Sequence, residues 1–325
     1  SGIVPVPDRR LDIITSYIQT KKIVPTTIEF VDIAGLIKGA SKGEGLGNKF
    51  LGHIREVDAI AHVVRCFEDG NVPHVSETID PASDIDTINT ELMISDMETL
   101  DRRKTKIEKL AKSGDKEARS QMEVIKKLIQ SIDRNIPARA ITDFTDEEKK
   151  FAKSLTLLSA KSVLYICNVM DPGDTKSDLV QKVKDIAKQD GSAVVALAGK
   201  IEGEIMEMED PEEQKMFMEE MGLTETGLDR MIATGYGLLE LSTYFTAGEK
   251  ETRAWTIPKN SKAPQAAGAI HSDFEKGFIR AEVYSLEDLE KYKTEAGIKE
   301  AGKLRIEGKD YVVQDGDIMH FRFNV

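Results

Sequence analysis

Residues Thr26-Thr27-Ile28-Glu29-Phe30-Val31-Asp32-Ile33-Ala34-Gly35 constrain the fold more than any other stretch of this chain. A β-branched, apolar run ends in an acid and then a glycine, the pattern by which a buried parallel strand delivers a carboxylate to the mouth of a phosphate site. Glycines at 39, 43, 45 and 47 come next, opening backbone conformations closed to residues with a Cβ. At such a strand end the acid holds Mg²⁺ through water, and the glycine amide reaches a terminal phosphate when the loop closes. Asp32 and Gly35 are the candidate catalytic pair, and Asp32 is also the candidate metal ligand. A bare acid-x-x-glycine is more often an ordinary strand end with a flexible surface loop; the longer string here shifts the reading towards a switch.

The chain around this stretch reads as alternating elements. Leu11, Ile14, Tyr17 and Ile18 predict a short amphipathic helix before the strand, and Lys49 to Glu56 a helix with Phe50, Leu51 and Ile54 inward. Residues Ala59 to Phe67 predict a buried strand, completing a strand–helix–strand unit. His62 and Arg65 within it read as satisfied strand residues rather than catalysts. From Asp80-Pro81 the apolar residues Ile85, Ile88, Leu92, Met97, Leu100, Ile107 and Leu110 recur at near-helical spacing. A second stripe runs through Met122, Ile125, Leu128, Ile129 and Ile132. With Ser113-Gly114-Asp115 between them, these predict an antiparallel helical hairpin carrying Arg102, Arg103, Lys104, Lys106 and Lys109 on its outside. That basic face is either simply solvated or a contact for RNA or a partner.

Ser162 to Cys167 predicts a third buried strand, ending in Asn168-Val169-Met170-Asp171, and Ala193 to Leu197 a fourth, ending in Ala198-Gly199-Lys200. An Asn-x-x-acid at such a strand end is placed to read a nucleotide base, and the backbone after the fourth strand to border it. Asn168, Val169, Asp171, Ala198 and Gly199 are the candidate nucleotide-binding residues. An acidic helical stretch from Glu202 to Glu220 and a connecting helix from Gly227 to Leu239 lead to a separate module. There Tyr244–Ala247 and Arg253–Ile257 predict a hairpin, Gly268–Val283 a helix and a strand, and Tyr311–Phe321 a hairpin around Asp315-Gly316. Lys276, Phe278 and Arg280 are candidate RNA contacts; Phe278 reads equally as core.

The string Asp32-Ile33-Ala34-Gly35-Leu36-Ile37-Lys38-Gly39-Ala40 with Gly45-Leu46-Gly47-Asn48 resembles the switch region of the Obg-like branch of translation-factor GTPases. His62-Val63-Val64-Arg65-Cys66-Phe67-Glu68-Asp69, Ala254-Trp255-Thr256-Ile257-Pro258 and Ala263-Pro264-Gln265-Ala266-Ala267-Gly268 narrow the resemblance to the YchF type of Obg-like ATPases. The resemblance implies an α/β fold: a P-loop nucleotide domain over residues 1–82 and 158–218, a helical coiled-coil insertion over 83–157, a connecting helix over 219–239 and a C-terminal β-grasp (TGS) domain over 240–325. It implies a cytoplasmic, ribosome-associated hydrolase of ATP, with Mg²⁺ as cofactor, a monovalent cation as one means of positioning water, and RNA met through the TGS module and the helical arm. No membrane or DNA partner is expected.

Two departures stand out. The phosphate-cradling pattern G-x-x-x-x-G-K-[ST] occurs nowhere in the 325 residues; in the family that strand, loop and helix lie upstream of the position matching Ser1, so the segment is expected there. Obg-like ATPases carry Asn-x-x-Glu, whereas Asp171 matches the acid of the GTPase motif Asn-Lys-x-Asp. Val169 in turn replaces the lysine that covers guanine. ATP is the expected nucleotide; a GTP-hydrolysing translation factor, or a nucleotide-gated ribosome- or RNA-binding module with negligible turnover, are the alternatives. Leu36, where many GTPases have a water-orienting glutamine, cannot hydrogen-bond a water, so unaided hydrolysis is expected to be slow. A net charge of −12 argues against nonspecific coating of nucleic acid. The five histidines show no metal-site spacing, and Cys66 and Cys167, both in apolar runs, read as buried reduced thiols.

Overall fold

The computed structural model describes residues 1–33, 46–70 and 78–324, the side chains of 46–48 excepted. The chain forms two compact units, Ser1–Phe30 with Leu239–Val325, and Val31–Leu238. The first starts with β1 (Gly2–Pro5), α1 (Arg9–Tyr17), β2 (Ile23–Val24) and β3 (Thr27–Phe30). Residues 1–30 thus group by their contacts with the C-terminal residues. The cause is the inner face of α1: Leu11 and Ile14 are buried in one cluster with Phe245, Tyr284 and Leu289. Arg10 adds a polar tie, its Nη1 lying 2.7 Å from an Asp315 oxygen. Nor is β3 a buried parallel strand. It pairs antiparallel with β1, Gly2 opposite Phe30, and Thr27-Ile28-Glu29-Phe30 alternates exposed with partly buried, as a one-faced ribbon does. Among the described residues it therefore forms no strand–helix–strand unit with residues 49–67.

The second unit contains α2 (Leu46–Glu56), β4 (Ala59–Arg65), α3 (Pro81–Lys112), α4 (Lys116–Asp133), α5 (Asp146–Ser154), β5 (Ser162–Asn168), α6 (Asp178–Asp190), β6 (Ala193–Leu197), α7 (Gly199–Met206), α8 (Pro211–Glu220) and α9 (Gly227–Leu238). β4, β5 and β6 form a parallel sheet in that order. One face packs Val163, Tyr165 and Cys167 against Leu51 and Ile54 of α2, Ile85 and Leu92 of α3, and Val180 and Val183 of α6. The other face packs Leu164, Ile166 and Val195 against Met231 and Leu238 of α9. Both cysteines are free and buried. α3 and α4 form the expected hairpin, turning at Gly114, whose φ of +99° is a left-handed value that favours glycine. Leu110, expected on the inner stripe, is instead 55% exposed. The arm is also more than two helices: Leu100, Ile125 and Leu128 share a buried cluster with Leu155 and Leu157, and Phe151 of α5 packs against it.

The chain re-enters the first unit with β7 (Leu241–Thr246), β8 (Thr252–Pro258), α10 (Ala263–Ile270), α11 (Ser272–Lys276), β9 (Phe278–Tyr284), α12 (Leu286–Tyr292), α13 (Glu295–Glu300), β10 (Arg305–Glu307) and β11 (Ile318–Phe323). Its sheet runs β10-β9-β11-β7-β8-β2, and Ala263, Ala266 and Ala267 let α10 sit close on Tyr244 and Ile257. β7 and β8 pair as the predicted hairpin. The hairpin around Asp315-Gly316 does not form, because β11 lies between β9 and β7. Asp317 curls the preceding residues away, its carboxylate accepting from the Tyr311 hydroxyl at 2.6 Å and from Gln314 N–H at 2.9 Å. Among the described residues no helix is long and apolar enough to cross a membrane.

Buried polar ties fix the arm to the parallel sheet. Asp96 of α3 accepts from the N–H groups of Leu158 and Ser159 at 2.7 and 2.8 Å, where the chain leaves the arm for β5; burial raises its pKa. Arg139, on the single turn Ala138–Ala140, reaches Asp190 at the end of α6 at 2.7 Å, with both side chains under a tenth exposed. The same guanidinium bonds Asn89 Oδ1 at 2.8 Å and the Tyr165 hydroxyl at 3.1 Å. Arg139→Ala leaves Asp190 charged, buried and without its counter-ion, and is expected to lower unfolding stability by about 3–5 kcal/mol in urea titration. A loss under about 1 kcal/mol would place the pair among solvated surface ion pairs.

Candidate functional site

The parallel sheet ends its strands side by side. Asn168 is in register with Arg65 of β4 on one side and Leu197 of β6 on the other, so the residues just past each strand emerge together. This is the crevice beyond the carboxyl ends of parallel strands, where open α/β sheets bind ligands. Asn168 Oδ1 accepts from Gly199 N–H at 3.2 Å, and Val169 N–H donates to Leu197 O at 3.0 Å. The structure therefore brings together Asn168, Val169, Ala198 and Gly199. A Cβ built on Gly199 would stand 3.0 Å from Asn168 Oδ1; that close approach is why a glycine suits this place.

Val169 is 3% exposed, turned into the core rather than outward. Asp171 is exposed, and its Oδ1 accepts from Gly173 N–H at 2.9 Å, capping the short turn Pro172–Lys176. Arg65 staples the loop after β4, donating to Phe67 O at 3.1 Å and Asp69 O at 3.0 Å, with its guanidinium 4.5 Å from the Phe67 ring centre. His62 lies beside Tyr165, ring centres 5.8 Å apart. Desolvation, helped by the Arg139 charge, lowers its pKa to about 4.

Asp32 is exposed, and no described residue pairs with it. Its neighbour Ile33 packs against the same core as β5. Gly35 lies outside the described residues, as does the rest of the glycine-rich loop as far as Gly45. In the other unit Lys276 and Arg280 are exposed, whereas Phe278 is 4% exposed and packs edge-on to Phe321 at 6.2 Å. Phe278 is therefore a core residue and unavailable to stack on a base. Sequence reasoning missed Glu202: it is buried, and its Oε1 accepts from Ala198 N–H at 3.1 Å, holding the backbone beside Asn168. Its position in an acidic run gave no local signal of this.

The chain is similar to known proteins along its whole length. A family model described as "50S ribosome-binding GTPase" matches residues 9–127, and the YchF GTPase C-terminal model, described as "Protein of unknown function (DUF933)", matches residues 241–324. The protein named Ribosome-binding ATPase YchF in Bacillus subtilis (strain 168) is 54% identical over 329 residues, spanning 100% of this chain and 89% of its own. Its namesake in Escherichia coli O157:H7 is 52% identical over 325 residues with the same coverage. The solved structure of the Schizosaccharomyces pombe YchF GTPase superposes with a TM-score of 0.87 at 38% identity, covering 98% of this chain and 86% of that one.

The His62 environment yields a pH signature. Its folded pKa of about 4 lies below the ordinary 6.5, so between those values the unfolded chain binds the extra proton. Stability is expected to fall as pH drops from about 6.5 towards 4. Denaturant unfolding across that range should show a shallower dependence in His62→Gln than in the wild type; parallel curves would remove His62 from the account.

Proposed function

The chain belongs to the YchF family, and from that premise we propose that it is a cytoplasmic, ribosome-associated hydrolase of ATP to ADP and phosphate. The observation that carries the nucleotide reading is the Asn168–Gly199 bond across the ends of β5 and β6. It occupies the amide oxygen and leaves Nδ2 to donate to a ring nitrogen. With Val169 turned inward, no lysine stem covers the base as in guanine-specific sites. That supports adenine.

Asp32 fits Mg²⁺: it is a hard oxygen donor, exposed, with no partner among the described residues. The ion, when bound, neutralises charge on the terminal phosphates. Asp32 would hold it through water; Gly35 would donate its amide to the terminal phosphate, and Leu36 leaves the attacking water without a side-chain partner. Hydrolysis is then slow until a partner, or a monovalent cation, orders the site. The exposed stretch Arg102, Arg103, Lys104, Lys106 and Lys109 of α3, with Lys276 and Arg280, offers positive charge to ribosomal RNA. A second reading, GTP hydrolysis, has Asp171 in its favour.

The phosphate-cradling pattern is absent from these 325 residues, so nucleotide experiments use the full-length protein. Calorimetry is expected to show tighter binding of ATP than of GTP in both wild type and Asp171→Glu. A preference for GTP that reverses in the variant would make Asp171 the base reader and the protein a GTPase. Turnover is expected to rise on adding ribosomes; equal, negligible turnover with and without them would leave a nucleotide-gated binding module.

A further inference from the structure

Among the acids between residues 202 and 220, Glu202 alone is buried, at 7% exposure. Burying a carboxylate is costly unless it is paired and hydrogen-bonded, and here each oxygen serves a different element. Oε1 accepts from Ala198 N–H, in the backbone next to Gly199 and Asn168. Oε2 accepts from Gly227 N–H, the first residue of α9. Arg230, one turn further along α9, brings Nη2 to 3.9 Å from Oε1 and donates to Ala196 O at 3.0 Å. The fit leaves no spare room: a Cβ on Gly227 would stand 2.6 Å from Glu202 Oε2 and 2.6 Å from Leu197 Cβ. Glutamine could not replace this arrangement, because it offers one acceptor oxygen and would turn an NH₂ group towards the second N–H.

We propose that Glu202 is a positioning residue for the nucleotide base, holding the Ala198–Gly199 backbone in the geometry that orients Asn168 and making that geometry depend on the seating of α9. The inference rests on the nucleotide-hydrolase reading above and deepens it. The linkage runs from the Gly227 N–H through Glu202 to Ala198, and from Gly199 to Asn168. α9 ends at Leu238 and the chain passes directly into β7. The base end of the nucleotide is thus tied to the helix that leads to the C-terminal residues.

The test separates the base from the phosphates. In full-length Glu202→Gln and Glu202→Ala, ATP affinity by calorimetry is expected to fall about tenfold, the scale of one well-placed hydrogen bond. The ratio of ATP to GTP affinity should fall with it, while binding of inorganic tripolyphosphate is unchanged. In steady-state assays KM for ATP rises and kcat at saturation stays within about twofold, since the phosphate chemistry is untouched. Gly227→Ala should give the same pattern from the α9 side. Glu202→Gln keeps the side-chain volume and carries the test if the alanine variant does not fold. Wild-type affinity in a folded Glu202→Gln would overturn the proposal, as would an equal loss for ATP and tripolyphosphate, which marks general loosening. A wild-type protein that binds neither nucleotide overturns the functional reading itself; one that binds ATP beside an unaffected variant overturns this inference alone.

Discussion

Parallel pairing of β4, β5 and β6, with Arg65, Asn168 and Leu197 side by side, is the constraint on which the larger unit depends. Parallel strands need both faces covered, and each face here has its own apolar cluster, one supplied by α2, α3 and α6 and the other by α9. With both faces taken, Asn168, the last residue of β5, is left at the strand ends. Asn168 and the Ala198–Gly199 backbone meet there because the sheet register leaves them nowhere else to go.

Apolar burial is non-directional and tolerates sliding, so it cannot by itself set the angle of the Asn168 side chain, the proposed reader of a base. Hydrogen bonds can. The Asn168–Gly199 contact and the carboxylate of Glu202 turn a packed sheet into one with a fixed rim. On the opposite side Arg139 performs a comparable task through Tyr165, three residues before Asn168 on the same strand. The two ties differ in cost. Arg139 and Asp190 are both nearly fully buried, whereas Arg230 keeps 29% of its side chain in solvent, which lowers the penalty for holding charge beside Glu202.

Much of this was legible in the chain, and the failures have physical causes. Continuous apolar runs mark β4, β5 and β6, and the helical stripes with Gly114 between them mark the arm. The Asn168-x-x-Asp171 and Ala198-Gly199 candidates fall on adjoining strand ends because those runs end where the sheet does. Thr27-Ile28-Glu29-Phe30 misled: its two-residue alternation was visible, but the acid and glycine after it outweighed that signal. The packing of residues 1–30 on the C-terminal residues was not legible, because the partners of Leu11 and Ile14 lie more than two hundred positions away, beyond what a local pattern carries. Asp315-Gly316 is a sound turn signal, and a turn occurs there, with Gly316 at a φ of +92°. A turn does not choose its strand partners, and Asp317 decided the pairing.

Glu202 is the instructive case. In sequence it is one of many acids and reads as solvated helix surface; what distinguishes it is a glycine and an arginine 25 and 28 positions later, a separation with no periodic signature. Only packing α9 on β5 and β6 brings Gly227 and Arg230 to it, and Gly227 must be glycine because the carboxylate and Leu197 fill the space a Cβ would need. The same logic explains why the acid is buried at all. A neutral side chain could satisfy Ala198 N–H or Gly227 N–H; a carboxylate can hold both at once, and so ties the seat of α9 to the shape of the Ala198–Gly199 backbone.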